Sequence, residues 1–245
     1  MGAGSSAVEA SRLAAGESMA AIAGRPRLGP RARGAALALL VVALAVAGAS
    51  WRHRAAPLER LGAALMAEDP VGRGADVAVV SMASPRGAAL DAAKLYRRGL
   101  VREIWIPRWR DEPADRRVEA LGVHAPRQHE VARQILERAG VPAASIELLD
   151  EPVDGLDGEM ATVGAALRRR PTIHPIVLTA RTHTARARLL LREVYAPAAQ
   201  ALVRGAHADP FAPATWWRSR AAVREVALEY AKWIALLTRG PSVEE

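Results

Sequence analysis

The stretch that most constrains this chain is residues 176–186, Ile-Val-Leu-Thr-Ala-Arg-Thr-His-Thr-Ala-Arg. After Pro175 it opens as a short apolar run rich in β-branched residues, the pattern of a buried strand. It then passes Thr182, a side chain suited to cap a helix, and enters a segment carrying Leu189, Leu190 and Leu191. A strand that runs straight into a helix is half of a βαβ unit, and folds built from such units hold ligands at the carboxyl ends of their strands. Thr179, Arg181, Thr182, His183 and Arg186 crowd that turn. Exposed backbone N–H groups, the positive end of the helix dipole and these cations together suit an anion such as phosphate. A plainer reading stands beside this one: arginine is abundant throughout, so these arginines also fit a solvated surface, and His183 a capping residue.

The rest of the sequence repeats the strand-to-helix rhythm. Residues 76–80, 103–106, 145–149 and 201–203 read as further short strands, the second closed by Pro107. Helices are expected through Leu90, Leu95 and Tyr96 as far as Gly99, and over 129–139, 159–169 and 216–237. A polar loop at 108–125 and an acidic loop at 150–158 separate them. Alternation of this kind predicts an α/β fold, a three-layer Rossmann-like parallel sheet of about five strands with helices on both faces.

Ahead of it, residues 1–34 read as a disordered basic tail. Residues 35–51 centre on an unbroken apolar run from Ala35 to Ala49. Arg25, Arg27, Arg31 and Arg33 precede that run, and Trp51, Arg52, His53 and Arg54 follow it. A single transmembrane anchor, a cleaved signal segment and a buried helix are all open readings of the run. The upstream arginines favour the anchor, with the following domain on the envelope side of a bacterial inner membrane. Residues 52–74 then form a juxtamembrane linker, 75–239 the folded domain and 240–245 a tail.

Composition excludes some chemistry. There is no cysteine, which removes disulfides, thiolate metal sites and a cysteine nucleophile. The net charge is +8, but nearly all of it is arginine spread along the sequence, with lysine only at positions 94 and 232 and one phenylalanine, Phe211. A nucleic-acid binder clusters its basic residues and interleaves aromatics, so nucleic acid is not an expected partner. No spaced His/Asp/Glu set marks a metal site.

Five pieces, in order, resemble the YdcF-like family, the domain of unknown function 218 that includes the SanA and ElyC envelope proteins. They are the strand at 77–80 followed by Arg86; Leu-Tyr-Arg-Arg-Gly at 95–99; Leu-Glu-Arg-Ala-Gly-Val-Pro at 136–142; Leu178 and Thr179 through His183, Arg186 and Ala187; and Trp216 and Trp217 followed by Glu229, Tyr230, Ala231 and Lys232. The resemblance spans residues 75–237 and implies a role in envelope biogenesis. It implies a site in which His183 and Glu159 are catalytic and Arg86, Thr179, Thr182, Arg186 and Glu229 bind ligand. Two departures stand out: Ser-Met-Ala-Ser at 81–84 replaces a glycine-rich turn, and Leu156 replaces a threonine three residues before Glu159. The expected ligand is an anionic, phosphorylated or nucleotide-like small molecule, with no cofactor specified. A hydrolase or transferase using His183 as acid/base and a non-catalytic interaction module are the alternatives. On the plainer reading Glu159 merely complements the N-terminus of its helix and Glu229 pairs with a neighbouring arginine on the final helix.

Overall fold

The computed structural model describes Gly48 and residues 55–72, 74–196 and 200–239. The chain divides after Arg54, and the second unit begins at Ala55. Apart from Gly48, the apolar run at 35–49 lies outside the described residues, as do both expected tails. Among the described residues, no helix is long and apolar enough to cross a membrane.

Five strands carry the fold: β1 (Val77–Val80), β2 (Glu103–Trp109), β3 (Ile146–Val153), β4 (Pro175–Thr179) and β5 (Leu202–Gly205). They form one sheet in the order β3-β2-β1-β4-β5, parallel at every pairing. Seven helices surround it among the described residues: α1 (Ala55–Ala64), α2 (Pro85–Arg97), α3 (Pro113–Ala120), α4 (Gln128–Arg138), α5 (Gly155–Arg169), α6 (Thr184–Leu189) and α7 (Arg220–Arg239). The expected α/β parallel sheet is therefore present.

Alternation along β1 shows how the layers are made. Val77 and Val79 enter one core with Met160, Val163 and Leu167 of α5 and with Leu190 and Leu191. Ala78 and Val80 enter the other, against Ala88, Ala89, Ala92 and Ala93 of α2 and Ala132 and Leu136 of α4. A period of two in a strand buried on both faces gives an unbroken apolar run rather than alternation with polar residues. The alanine stripe lets α2 lie close to the sheet.

Several boundaries differ from the expectation, each for a physical reason. Pro107 does not close β2. It has no N–H to donate, and the pairing with β3 shifts register between Ile106 and Arg108, then resumes with Arg108 opposite Pro152 and Trp109 opposite Val153. This extends both strands and absorbs the first half of the expected acidic loop. The polar segment at 108–125 contains α3. Thr182 does not cap a helix; it sits inside a short 3₁₀ turn, Arg181–His183, ahead of α6, and Leu190–Tyr195 continues α6 as a π-helix. The last helix begins with a 3₁₀ turn, Trp216–Arg218, before α7.

The expected linker is also part of the fold. The Trp216 indole donates to Leu58 O at 2.8 Å and the Tyr230 hydroxyl to Leu61 O at 2.8 Å, which pins α1 to the C-terminal segment. Gly62 is required there, because a Cβ would stand 2.7 Å from the Trp216 ring. Leu65 is buried against Phe211, Trp216 and Val226. Asp69 then accepts the Val203 N–H at 2.9 Å along β5.

Candidate functional site

The strand order reverses direction of winding between β1 and β4, and in open α/β sheets the carboxyl ends at such a point are where a ligand crevice is expected. Val80 pairs with Leu178, which sets Ser81 beside Thr179 at the crevice floor. Both are buried. The Thr179 hydroxyl donates to Ser81 Oγ at 3.0 Å, and the Ser81 hydroxyl donates to Glu159 Oε2 at 2.6 Å. The Met82 N–H donates to Glu159 Oε1 at 2.8 Å. Glu159, in the second turn of α5, is wholly buried. Burial pushes its carboxyl up to about 7, against the opposing pull of Ser81, the Met82 N–H, the Trp109 indole and the Arg186 charge. Near neutral pH this side chain therefore exchanges a proton.

The turn at 81–84 and Leu156 each have a local role. At the turn after β1, Ser81 fills the crevice with its hydroxyl and Met82 turns into the α2-side core. Leu156 packs in the core with Met160, Val163 and Leu167.

A second group adjoins the first. Arg186 of α6 is 2 % exposed. Its Nε and Nη2 fork the two carboxylate oxygens of Glu229 from α7 at 2.7 and 3.1 Å, and Nη1 meets Asp157 of α5. All three guanidinium nitrogens are thus engaged by acids. His183 Nε2 faces Glu229 Oε2 at 3.4 Å, and its Nδ1 is buried with no hydrogen-bond partner. Burial drives the imidazole down to about 4; Glu229 pulls it upward, while Arg186 and Lys232 push further down. His183 is neutral at pH 7. Thr182 is buried and donates to Glu225 of α7, whose carboxyl is raised chiefly by burial.

Of the sequence-nominated residues, Thr179 and Glu159 are joined through Ser81, His183, Arg186 and Glu229 form a second group, and Thr182 pairs separately with Glu225. Arg86 differs: it is exposed in the first turn of α2, with no hydrogen-bond or ion-pair partner among the described residues. Glu229 pairs not with an arginine of its own helix but with Arg186 of α6. The electrostatics also differ from the expected cation-rich turn. Arg186 is neutralised by two carboxylates, His183 is uncharged, and Arg181 points away to Phe211 O at 3.0 Å and toward Glu68.

Ser81, Asp157 and Glu225 belong to these groups, and the buried Trp109 indole, without a hydrogen-bond partner, lies near the Glu159 carboxyl; none of the four was nominated as a site residue. A usable signal existed for two of them. Asp157 lies in the first turn of the helix that carries Glu159, and Glu225 lies four residues before Glu229, on the same helical face. Trp109 carried no signal, because Pro107 appeared to end its strand. Among the described residues, no group of three His, Asp or Glu side chains is arranged to hold a metal ion. Comparison of the chain with protein-family models, with curated proteins and with solved structures found no match.

Proposed function

We propose that the carboxyl-edge crevice binds a phosphorylated or nucleotide-like small molecule, and that the chain is a membrane-anchored envelope protein of the YdcF-like kind. What supports the binding reading is the Thr179–Ser81–Glu159 chain at the carboxyl ends of β1 and β4, with Arg86, unpartnered among the described residues, at the start of the helix that leaves β1. Arg86 supplies a guanidinium fork for phosphate oxygens. Arg186 acts from within, fixing Glu229 and Asp157 rather than meeting the ligand directly. The anchor reading rests on the apolar run at 35–49 and its upstream arginines. The envelope reading rests on the family resemblance.

A second reading, hydrolysis or group transfer on such a ligand, is favoured by the His183–Glu229 pair. The tautomer with its proton on Nε2, toward Glu229, leaves Nδ1 as a base. Glu159, exchanging a proton near neutrality, is the partner acid. Titration calorimetry of the full chain with AMP, ADP and ATP tests the first reading. Saturable binding weakened at least tenfold by Arg86→Ala is expected; absence of binding leaves a non-catalytic interaction module. Phosphate release by the wild type, lost in His183→Asn with binding retained, adds the second reading.

A further inference from the structure

A groove of about 360 Å³ runs along the α2-facing side of the sheet, between the last two turns of α2 and the edge strand β5. It shares no lining residue with the carboxyl-edge networks. One wall is a helical stripe: Asp91, Lys94, Leu95 and Arg98 stand at positions i, i+3, i+4 and i+7, on one helical face. The facing wall comes from β5. Leu202 packs into the α2-side core and Val203 into the opposite one, so period-two alternation turns Arg204 toward α2. A charged side chain thus takes an inward position where an apolar one would continue the core.

The charges do not cancel. Lys94, Arg98, Arg181 and Arg204 face two carboxylates, Glu68 and Asp91. Asp91 takes Lys94 at 3.1 Å and the His207 N–H at 2.6 Å. Glu68 lies between Arg204 at 3.5 Å and Arg181 at 4.0 Å, and accepts the Gly205 N–H at 3.2 Å. Gly205 makes that approach feasible: a Cβ there would stand 2.8 Å from the Glu68 carboxylate and 2.6 Å from the Arg181 stem. Arg98 is exposed and meets no carboxylate among the described residues. Leu95, Leu178 and Val71 line the groove beneath these charges. One inward charge is enough to deter sheet-edge pairing. Four cations around an apolar floor, in a concavity of small-ligand size, exceed that need.

We propose that this groove is a second anion site, which takes a phosphomonoester carrying an apolar body: the phosphate between Arg98 and Arg204, the body against Leu95 and Leu178. It is independent of the carboxyl-edge reading. The phosphomonoester could be a soluble ester or the headgroup of a lipid, and the test separates these sources. The full chain is titrated with phenyl phosphate, with inorganic phosphate, and with phosphatidylcholine vesicles containing or lacking phosphatidic acid. The wild type is compared with Arg98→Ala, Arg98→Ala/Arg204→Gln and Arg86→Ala. Arg98 is exposed, so its single variant keeps the fold.

The expected result is tighter binding of phenyl phosphate than of inorganic phosphate. That binding weakens several-fold in Arg98→Ala and at least tenfold in the double variant. The same dependence seen only with phosphatidic acid vesicles supports the site and assigns the phosphate to a lipid. Binding that ignores the Arg98 and Arg204 substitutions, or no binding of any probe, overturns the proposal. Sensitivity to Arg86→Ala alone assigns the anion to the carboxyl edge instead and overturns it equally.

Discussion

The carboxyl-edge networks and the β5 groove are both built on arginine, yet they use it in opposite ways. At the edge, Arg186 is buried and every nitrogen is committed to Glu229 or Asp157. In the groove, Arg98 and Arg204 reach solvent and outnumber their acids with the help of Lys94 and Arg181. The difference shows that the count of cations near a strand end says little about the field a ligand meets. What matters is how many carboxylates the fold brings to each cation, and those arrive from α5 and α7, remote in sequence.

The comparison is broken most forcefully by Arg186→Ala. Removing one partner of a buried pair leaves the Glu229 charge uncompensated, and a loss of about 3–5 kcal/mol in unfolding free energy is expected in urea denaturation. A loss near zero would mean that Arg186 is no strut. Arg186→Met combined with Glu229→Leu should recover much of it, because a buried pair replaced by apolar residues is often neutral.

The next effect is in pH. Glu159 titrates near 7 when folded and near 4.5 when unfolded, so its contribution is complete below 4.5 and is lost as pH rises to 7. His183 titrates near 4 when folded and near 6.5 when unfolded, so its contribution is complete above 6.5 and is lost as pH falls toward 4. Each amounts to about 3–4 kcal/mol at about 1.4 kcal/mol per pH unit. Between pH 4.5 and 6.5 the two slopes oppose, and the pair should add little net pH dependence to wild-type stability. Glu159→Gln should then reveal stability that rises with pH across this window, and His183→Asn stability that falls. Parallel slopes in the two variants would contradict the burial of both groups.

Smaller changes are expected on the groove side. Gly205→Ala forces Arg181 and Glu68 apart and should cost about 1–3 kcal/mol. Arg98→Ala should stay within about 0.5 kcal/mol of wild type, because the side chain is exposed and unpaired. A large loss there would assign Arg98 a structural partner and remove the contrast between the two regions.

The alternation of apolar runs and helical segments was readable because each strand is short, β-branched and buried on both faces. The β1–β4 pairing that joins Ser81 to Thr179 was not readable, since it depends on a crossover of nearly a hundred residues. Pro107 misled for a local reason: a proline ends pairing in a regular strand but is absorbed by a register shift. Thr182 misled because a hydroxyl before a helix caps it only when the backbone is extended there. Here a 3₁₀ turn intervenes, and the hydroxyl turns to Glu225. Leu156 looked like a damaged site position in the linear pattern, yet faces the core once α5 is placed. His183, Glu159 and Glu229 were legible as residues worth attention; their protonation and pairing came only with burial.

The most direct test of the carboxyl-edge reading is the imidazole itself. With ring-labelled histidine in the full chain, and His183→Asn to identify its resonance, titration with ADP at pH 7 should move the His183 signal saturably, starting from a neutral ring. A His183 resonance that stays fixed while ADP binds elsewhere, or that begins as a protonated imidazolium, would contradict the account.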